Sequence, residues 1–223
     1  MNICSRGWRN WLSGLLWLMA VTLGGAPLAT AQETAGQNAQ ALADPQQLVI
    51  NTTERMLAAL DEHGAQLEQQ PALIYELVGE IVLPHFDFVR MSAWVLGKHW
   101  PRASLEQKRR FVPAFRQLLV RTYAVALLEY RGQSIEYLPL REDPASGEVT
   151  VRSRIIRPGK PPIALYYTLW WHDDRWRVYD ISVDGISLVA NYRTSFASEI
   201  KARGLDALIA RLEQHNRTGE TPQ

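Results

Sequence analysis

The chain has 223 residues, of which 47% are hydrophobic and 21% are charged, and its formal net charge is +1. This composition is typical of a folded globular protein and excludes a disordered or low-complexity chain. The balance of charge argues against nucleic-acid binding, because a surface that binds phosphates normally carries a basic excess. The length is sufficient for one well-buried domain.

The N-terminus has the pattern of a secretory signal peptide. Arg6 and Arg9 precede an apolar run over residues 11–23, and Ala29 and Ala31 form an A-x-A cleavage site. The apolar run is too short to be a stable membrane span. We therefore predict cleavage after Ala31 and export of the mature chain. An uncleaved membrane anchor is the alternative, and the position of the A-x-A site weighs against it.

Export defines what the mature chain contains. The only cysteine, Cys4, precedes the apolar run, so the mature protein has neither a disulfide nor a lipid-anchoring cysteine. Removing Arg6 and Arg9 from the 24 basic residues leaves 22, against 23 acidic residues. We predict a soluble protein with a flexible leader over residues 32–44, a single domain over 45–216 and a flexible tail over 217–223.

Three helices are predicted in the first part of the domain. The first begins near Pro45 and ends near Gly64, and its narrow apolar stripe of Leu48, Thr52, Met56 and Leu60 predicts packing on the outside of the domain. The second covers residues 72–83 and is stopped by Pro84. The third covers residues 88–96, with Asp87 as its N-cap.

A long fourth helix is predicted over residues 105–130. Ser104 and Gln107 form a capping-box pattern at its start, and Gly132 stops it. Its regular apolar stripe predicts that it is the main helix packed against the sheet. Pro113 lies beyond the first turn, so we expect a kink or a break there.

The apolar pattern then changes to a period of two residues. Four strands are predicted over residues 135–140, 148–156, 163–171 and 175–183, and short turns join them into an antiparallel meander. A helix capped by Ser187 follows over 187–203, and a last helix over 205–213 begins after Gly204. The fold class is therefore α+β, with helices covering a curved, four-stranded antiparallel sheet. The strand over 163–171 is apolar on both faces, which predicts that the sheet is covered on both sides.

Known catalytic and nucleotide-binding motifs are absent from the sequence. Its five histidines are scattered singly, at His63, His85, His99, His172 and His215. Asp87 and Asp180 are the candidate acid or base groups if the protein is an enzyme. We favour structural roles for both, with Asp87 capping a helix and Asp180 facing away from Tyr179, Ile181 and Val183 and pairing with Arg177 or Arg154.

Four segments, in this order, resemble the toluene-tolerance family of periplasmic phospholipid-binding proteins, the MlaC type. They are LPHFDF (83–88), VLGKHW (95–100), FRQLLVRTY (115–123) and DGISLVANYR (184–193). The resemblance implies a fold related to nuclear transport factor 2, with a deep apolar cavity that holds acyl tails. It also implies a non-enzymatic carrier, with phospholipid as cargo and without a cofactor. The implied partners are an inner-membrane ABC transporter complex and an outer-membrane lipoprotein and porin complex, and the implied role is maintenance of outer-membrane lipid asymmetry.

Within this framework we predict the residues that line the cavity, although simple core packing is the alternative for each of them. The lipid-binding residues are predicted to be Val151, Ile155, Leu165, Tyr167, Leu169, Ile181 and Val183 of the sheet, facing Leu119, Tyr123 and Leu127 of the long helix. A basic cluster near the start of that helix is either a docking surface or a solvated face. It contains Lys98, Arg102, Lys108, Arg109 and Arg110. A protein adaptor without bound lipid is a third possible function.

Overall fold

The computed structural model describes residues 44–130 and 133–218, apart from the side chains of residues 129 and 130. The predicted signal peptide, nearly all of the predicted leader and residues 219–223 of the predicted tail lie outside the described residues.

Side-chain caps explain where two of the first four helices begin. The Asp44 carboxylate accepts hydrogen bonds from the backbone N–H groups of Gln46 and Gln47, at 2.8 and 3.3 Å. The predicted N-cap at Asp87 is confirmed, since Arg90 N donates to Asp87 Oδ1 at 2.8 Å. The four helices are α1 Pro45–Glu62, α2 Gly64–Gln69, α3 Leu73–Ile81 and α4 Phe88–Leu96.

Helix α5 spans Leu105–Tyr123 and begins with the predicted capping box. Gln107 N donates to Ser104 Oγ at 3.1 Å, and Ser104 N donates to Gln107 Oε1 at 2.9 Å. The predicted break at Pro113 is wrong, because the helix continues through it. Pro113 is exposed, so water can satisfy the carbonyl that loses its intrahelical donor. The change of geometry comes later, where a 3-10 helix over Val125–Tyr130 follows.

The predicted antiparallel meander is confirmed, with five strands in the order β1-β2-β3-β4-β5 instead of four. The fifth strand has only two residues, which is too short to produce a period-two pattern. The strands are β1 Ser134–Tyr137, β2 Glu148–Ile156, β3 Ile163–His172, β4 Arg175–Val183 and β5 Ile186–Ser187. Helices α6 Leu188–Arg203 and α7 Leu205–Thr218 complete an α+β fold with an open sheet.

Strand β4 contains a bulge that changes which side chains share a face. Pairing with β3 shifts register between Thr168 and Leu169, which leaves Tyr179 as the extra residue. Val178 and Ile181 therefore lie on one face of the sheet, and Tyr179 lies on the other. The prediction that Tyr179 shares a face with Ile181 is wrong, because simple alternation does not hold across a bulge.

Asp180 anchors the start of α6. Ser187 Oγ donates to Asp180 Oδ2 at 2.6 Å, and Val189 N donates to Asp180 Oδ1 at 3.2 Å. The predicted pairing of Asp180 with Arg177 or Arg154 is wrong, because both carboxylate oxygens are used at the helix start. Asp180 is therefore a structural residue that joins β4 to α6.

The substitution Asp180→Asn should lower the free energy of unfolding by about 1 kcal/mol, because the amide replaces one of the two acceptor oxygens with a donor. Urea denaturation would measure the change. Asp174→Asn is the matched control in the exposed β3–β4 turn, and it should stay within about 0.5 kcal/mol of the wild type. Equal stability of both variants and the wild type would contradict the anchoring role.

Most of the aromatic core lies between helices. Phe115 stacks on Phe111 at 5.6 Å between ring centroids and makes an edge contact with Phe196 of α6 at 5.8 Å. Helix α5 packs chiefly against α7 and α4, so the prediction that it is the main helix against the sheet is wrong. The segment Leu105–Leu128 also has the length and composition of a membrane span. Burial of Phe111 and Phe115, both 0% exposed, indicates a core helix instead.

Helix α1 packs on the sheet. Val49 and Leu60 are 4% and 1% exposed, and Val49 belongs to a cluster with Val149, Val151 and Leu169. The prediction that α1 packs on the outside of the domain is therefore wrong. The helix covers the sheet face that carries Val178 and Ile181.

A bidentate ion pair joins the β1–β2 connection to β2. Arg152 Nη1 and Nη2 donate to the two carboxylate oxygens of Glu142 at 3.0 and 2.7 Å. The hydrogen bonds from Arg152 lower the pKa of Glu142 from 4.5 to about 2. Because the folded-state pKa is depressed, this stabilisation is complete above pH 4.5 and is lost as the pH falls through about 2.

The substitution Glu142→Gln should therefore reduce the free energy of unfolding at pH 7 by about 0.5–1 kcal/mol, since both side chains are partly exposed. The difference from the wild type should shrink as the pH is lowered below 4.5. Urea denaturation at a series of pH values measures it. A difference that does not vary with pH would show that the ion pair is not its source.

Candidate functional site

A cavity of about 580 Å³ lies between α1 and one face of the sheet. The sheet wall consists of Ile135, Ile155, Ile163, Leu165, Tyr167, Val178, Ile181 and Val183. Most of the opposite wall is supplied by Leu48, Val49, Thr52, Thr53, Met56, Leu57 and Leu60 of α1. One end is lined by Val82, His85, Phe86, Tyr123, Ala126 and Leu127, and the other by Asp184, Ile186, Leu188 and Asn191.

Seven of the ten predicted lipid-binding residues line this cavity. They are Tyr123, Leu127, Ile155, Leu165, Tyr167, Ile181 and Val183. The strand pairing brings most of them together, because Leu165 pairs with Val183 and Tyr167 pairs with Ile181. Contact of these seven side chains with lipid stays a prediction.

The other three predicted residues do not line the cavity. Leu119 belongs to the core between the helices, because α5 packs on α7 and only its C-terminal end reaches the cavity. Val151 and Leu169 have the predicted orientation, but they are 0% exposed and pack with Val49. The face of the sheet is thus divided between a solid core and an open cavity, a division that alternation does not encode.

The α1 wall was missed by the sequence analysis, although its signal is visible in the sequence. Val49, Thr53, Met56 and Leu60 follow the helical spacing i, i+4, i+7 and i+11. Together with Leu48, Thr52 and Leu57 they form a broader stripe than the one predicted, wide enough to face a sheet. The contributions of Phe86, Val178 and Leu188 depend on tertiary packing and have no comparable local signal.

Two tyrosine hydroxyls lie at the cavity in neutral form. Burial raises the pKa of Tyr167, and Tyr167 shares a hydrogen bond with Thr53 of α1. Burial also raises the pKa of Tyr123, with a further contribution from its neighbour Tyr192. These neutral hydroxyls add polar groups to the cavity walls without adding charge.

His85 also lines the cavity in neutral form. Burial lowers its pKa, and the positive charges of Arg55 and Arg175 lower it further. Among the described lining residues, only Asp184 carries a full charge at neutral pH, and it is exposed. The interior is therefore an apolar, uncharged space.

The two candidate catalytic carboxylates are occupied by structural hydrogen bonds outside this cavity. Asp87 caps α4 and accepts a hydrogen bond from Trp170 Nε1 at 3.1 Å. Asp180 lies on the opposite sheet face, beside a smaller space of about 250 Å³ lined also by Trp94 and Arg193. Within residues 44–130 and 133–218, no group of three or more His, Cys, Asp or Glu side chains is arranged to hold a metal ion.

A largely apolar cavity of this size is suited to an apolar ligand, since ligand sites of about 300–1,000 Å³ are mostly apolar with a few polar groups. The fold and the cavity thus define a binding protein for an apolar molecule. The chain belongs to the MlaC family, whose model matches residues 50–214.

Curated relatives agree with this assignment. The chain is 25% identical over 174 residues to the intermembrane phospholipid transport system binding protein MlaC of Haemophilus influenzae, covering 76% of this chain and 81% of that protein. It is 28% identical over 163 residues to the toluene tolerance protein ttg2D of Pseudomonas putida, covering 73% and 75%.

A solved structure has the same fold. A phospholipid-binding protein from Ralstonia solanacearum, determined in complex with a phospholipid, superposes with a TM-score of 0.73 at 31% sequence identity. The match covers 79% of this chain and 99% of that protein. It supports the α+β assignment, while the predicted relation to nuclear transport factor 2 stays a prediction.

Proposed function

We propose that this protein is a phospholipid carrier that holds acyl tails in the cavity between α1 and the sheet. The observation that carries the proposal is the apolar lining of the 580 Å³ cavity, in which Asp184 is the only charged side chain among the described lining residues. The phospholipid bound by the Ralstonia solanacearum protein and the transport role in the name of the Haemophilus influenzae relative support it. The seven predicted residues at the cavity, together with the α1 wall, would contact the tails.

The energetics of lipid exposure determine how such a carrier works. Two acyl tails contain about thirty methylenes, so exposing them to water would cost on the order of 25 kcal/mol at ~0.8 kcal/mol each. Release into solution is therefore negligible. The carrier receives and releases lipid only when docked to a partner, where the tails move between two apolar environments at little net cost. The direction of transport then comes from the partners.

The proposal includes the predicted location and partners. After cleavage at Ala31 and export, the domain of residues 45–216 would act in the periplasm. There it would transfer lipid between the outer-membrane lipoprotein and porin complex and the inner-membrane ABC transporter complex, and so maintain lipid asymmetry.

In the basic cluster, Arg110 is held by Glu213 through two hydrogen bonds of 2.9 and 2.8 Å. Lys98, Arg102, Lys108 and Arg109 would supply the rest of a docking surface.

We also propose that the protein is not an enzyme. Asp87 and Asp180 hold the starts of α4 and α6, so their observed roles are structural. The predicted enzymatic use of either carboxylate finds no support in its position. The double variant Asp87→Asn/Asp180→Asn should be less stable but, while folded, should bind lipid normally.

A transfer assay tests the carrier proposal. Donor vesicles with fluorescent phospholipid would be mixed with this protein and with acceptor vesicles containing the reconstituted inner-membrane ABC transporter complex. We expect lipid transfer that requires both the protein and the complex. Equally fast transfer to acceptor vesicles without the complex would contradict release by docking. An absence of transfer in every combination would contradict the carrier function.

A further inference from the structure

The cavity opens at the corner between β4 and α6. Among the described lining residues, only Asp184, Ile186 and Asn191 are exposed. Ile186 is 64% exposed, although it is a large apolar residue. All three lie within eight consecutive residues, so one short segment forms the mouth, and a lipid whose tails fill the cavity places its head group there.

Asp184 is held firmly at this mouth. Its backbone N–H donates to Ala164 O at 2.8 Å, and its Oδ1 accepts from Ala164 N at 2.9 Å. Its φ of +48° is a left-handed conformation that Asp and Asn tolerate better than most residues. The hydrogen bond uses one carboxylate oxygen, and the charge of the exposed group remains available to a ligand.

The charge that lines the mouth is negative. The described lining residues include no Lys or Arg, and Asp184 is their only full charge at neutral pH. A carboxylate attracts an ammonium group and repels a second anion, and the exposure of this site limits the effect to a modest size. Asn191 adds a neutral amide that can donate to a phosphate oxygen.

We propose that this mouth selects phospholipids whose head group carries an ammonium ion over phospholipids with a net negative charge, and that Asp184 determines the preference. The inference rests on the proposed carrier function and names the class of lipid that the cavity takes. Phosphatidylethanolamine has the favoured chemistry, with an ammonium for Asp184 and a phosphate for Asn191. Phosphatidylglycerol has the phosphate without the ammonium.

Competitive loading tests the preference. Protein stripped of lipid by unfolding and refolding would be incubated with vesicles of equimolar phosphatidylethanolamine and phosphatidylglycerol with identical acyl chains. The repurified protein would be extracted and the two lipids counted by mass spectrometry. We expect an enrichment of phosphatidylethanolamine of about two- to fivefold, which 0.5 M salt should reduce because the charge is exposed.

The substitution Asp184→Asn identifies the source of the preference. Asparagine keeps the acceptor oxygen for Ala164 N and tolerates the left-handed φ, so only the charge is removed. We expect the enrichment to fall close to unity in this variant. Asp174→Asn is the matched control, since Asp174 is also exposed and has a φ of +57°, but lies in the β3–β4 turn away from the cavity lining.

Three results would overturn the inference. An equal loading of both lipids by the wild type would show that the mouth does not discriminate between them. Retention of the enrichment in Asp184→Asn, or its loss in Asp174→Asn, would show that Asp184 is not the determinant. In each of these cases the carrier function would stand, because lipid is still bound. A wild-type protein that folds but takes up neither lipid would instead refute the carrier function, and the inference with it.

Discussion

Replacing Leu169 with alanine should lower the free energy of unfolding by about 3 kcal/mol, whereas the same change at Leu165 should cost about 1 kcal/mol or less. Both leucines lie on β3 and on the same face of the sheet, four residues apart. Leu169 is 0% exposed and packs in the cluster under α1, so its removal leaves a new void. Leu165 is partly exposed and already faces the open cavity.

The comparison should be made by urea denaturation of lipid-free protein, because a ligand that binds only the folded state adds to the apparent stability. Chemically identical truncations on one strand face make each variant the control for the other. Equal losses of stability would mean that Leu165 is packed as tightly as Leu169, and the division of the face into core and cavity would be wrong.

Filling the cavity with a larger side chain at Leu165 should strongly reduce lipid binding. Leu165→Trp places an indole in the space between β3 and α1, where a ligand tail would otherwise lie. Overpacking costs about 1–3 kcal/mol, which corresponds to about 5- to 150-fold in affinity, so the amount of phospholipid copurified per protein should fall at least about fivefold. The protein should remain folded, because the ring occupies existing space.

The control for this variant is Ala164→Trp. Ala164 is adjacent on β3, so its side chain projects from the opposite face of the sheet. It pairs with the exposed Arg154. The substitution Ala164→Trp introduces the same indole on the neighbouring residue, but on the sheet face away from the cavity. Quantitative lipid analysis should show normal cargo in Ala164→Trp and little in Leu165→Trp. Normal cargo in both variants would show that lipid does not occupy the cavity.

The features that the sequence predicted well depend on local signals. The caps at Asp87 and Ser104 each act within three residues, and the structure confirms both. The β2 strand over Glu148–Ile156 was predicted with its observed bounds, because its alternation is uninterrupted. Helix caps and strand alternation depend on neighbouring residues, so they can be recognised without knowledge of the fold.

The features that the sequence did not predict depend on distant packing. The bulge at Tyr179 has no signature in β4 itself, and it places Tyr179 on the opposite face from Ile181, whereas alternation predicts one shared face. The apolar stripe of α1 was predicted to be too narrow to face the sheet, because Val49 was not counted as part of it. Whether an apolar side chain such as Leu169 lies in core or cavity depends on how closely the opposite helix approaches, which no single segment specifies.

The central claim, that the cavity carries phospholipid, is tested most directly by mass spectrometry of a solvent extract from the natively purified protein. The structure leads us to expect phospholipid in stoichiometric amount, retained through purification because tail exposure costs on the order of 25 kcal/mol. A folded protein that yields no phospholipid from its native compartment would contradict the carrier function.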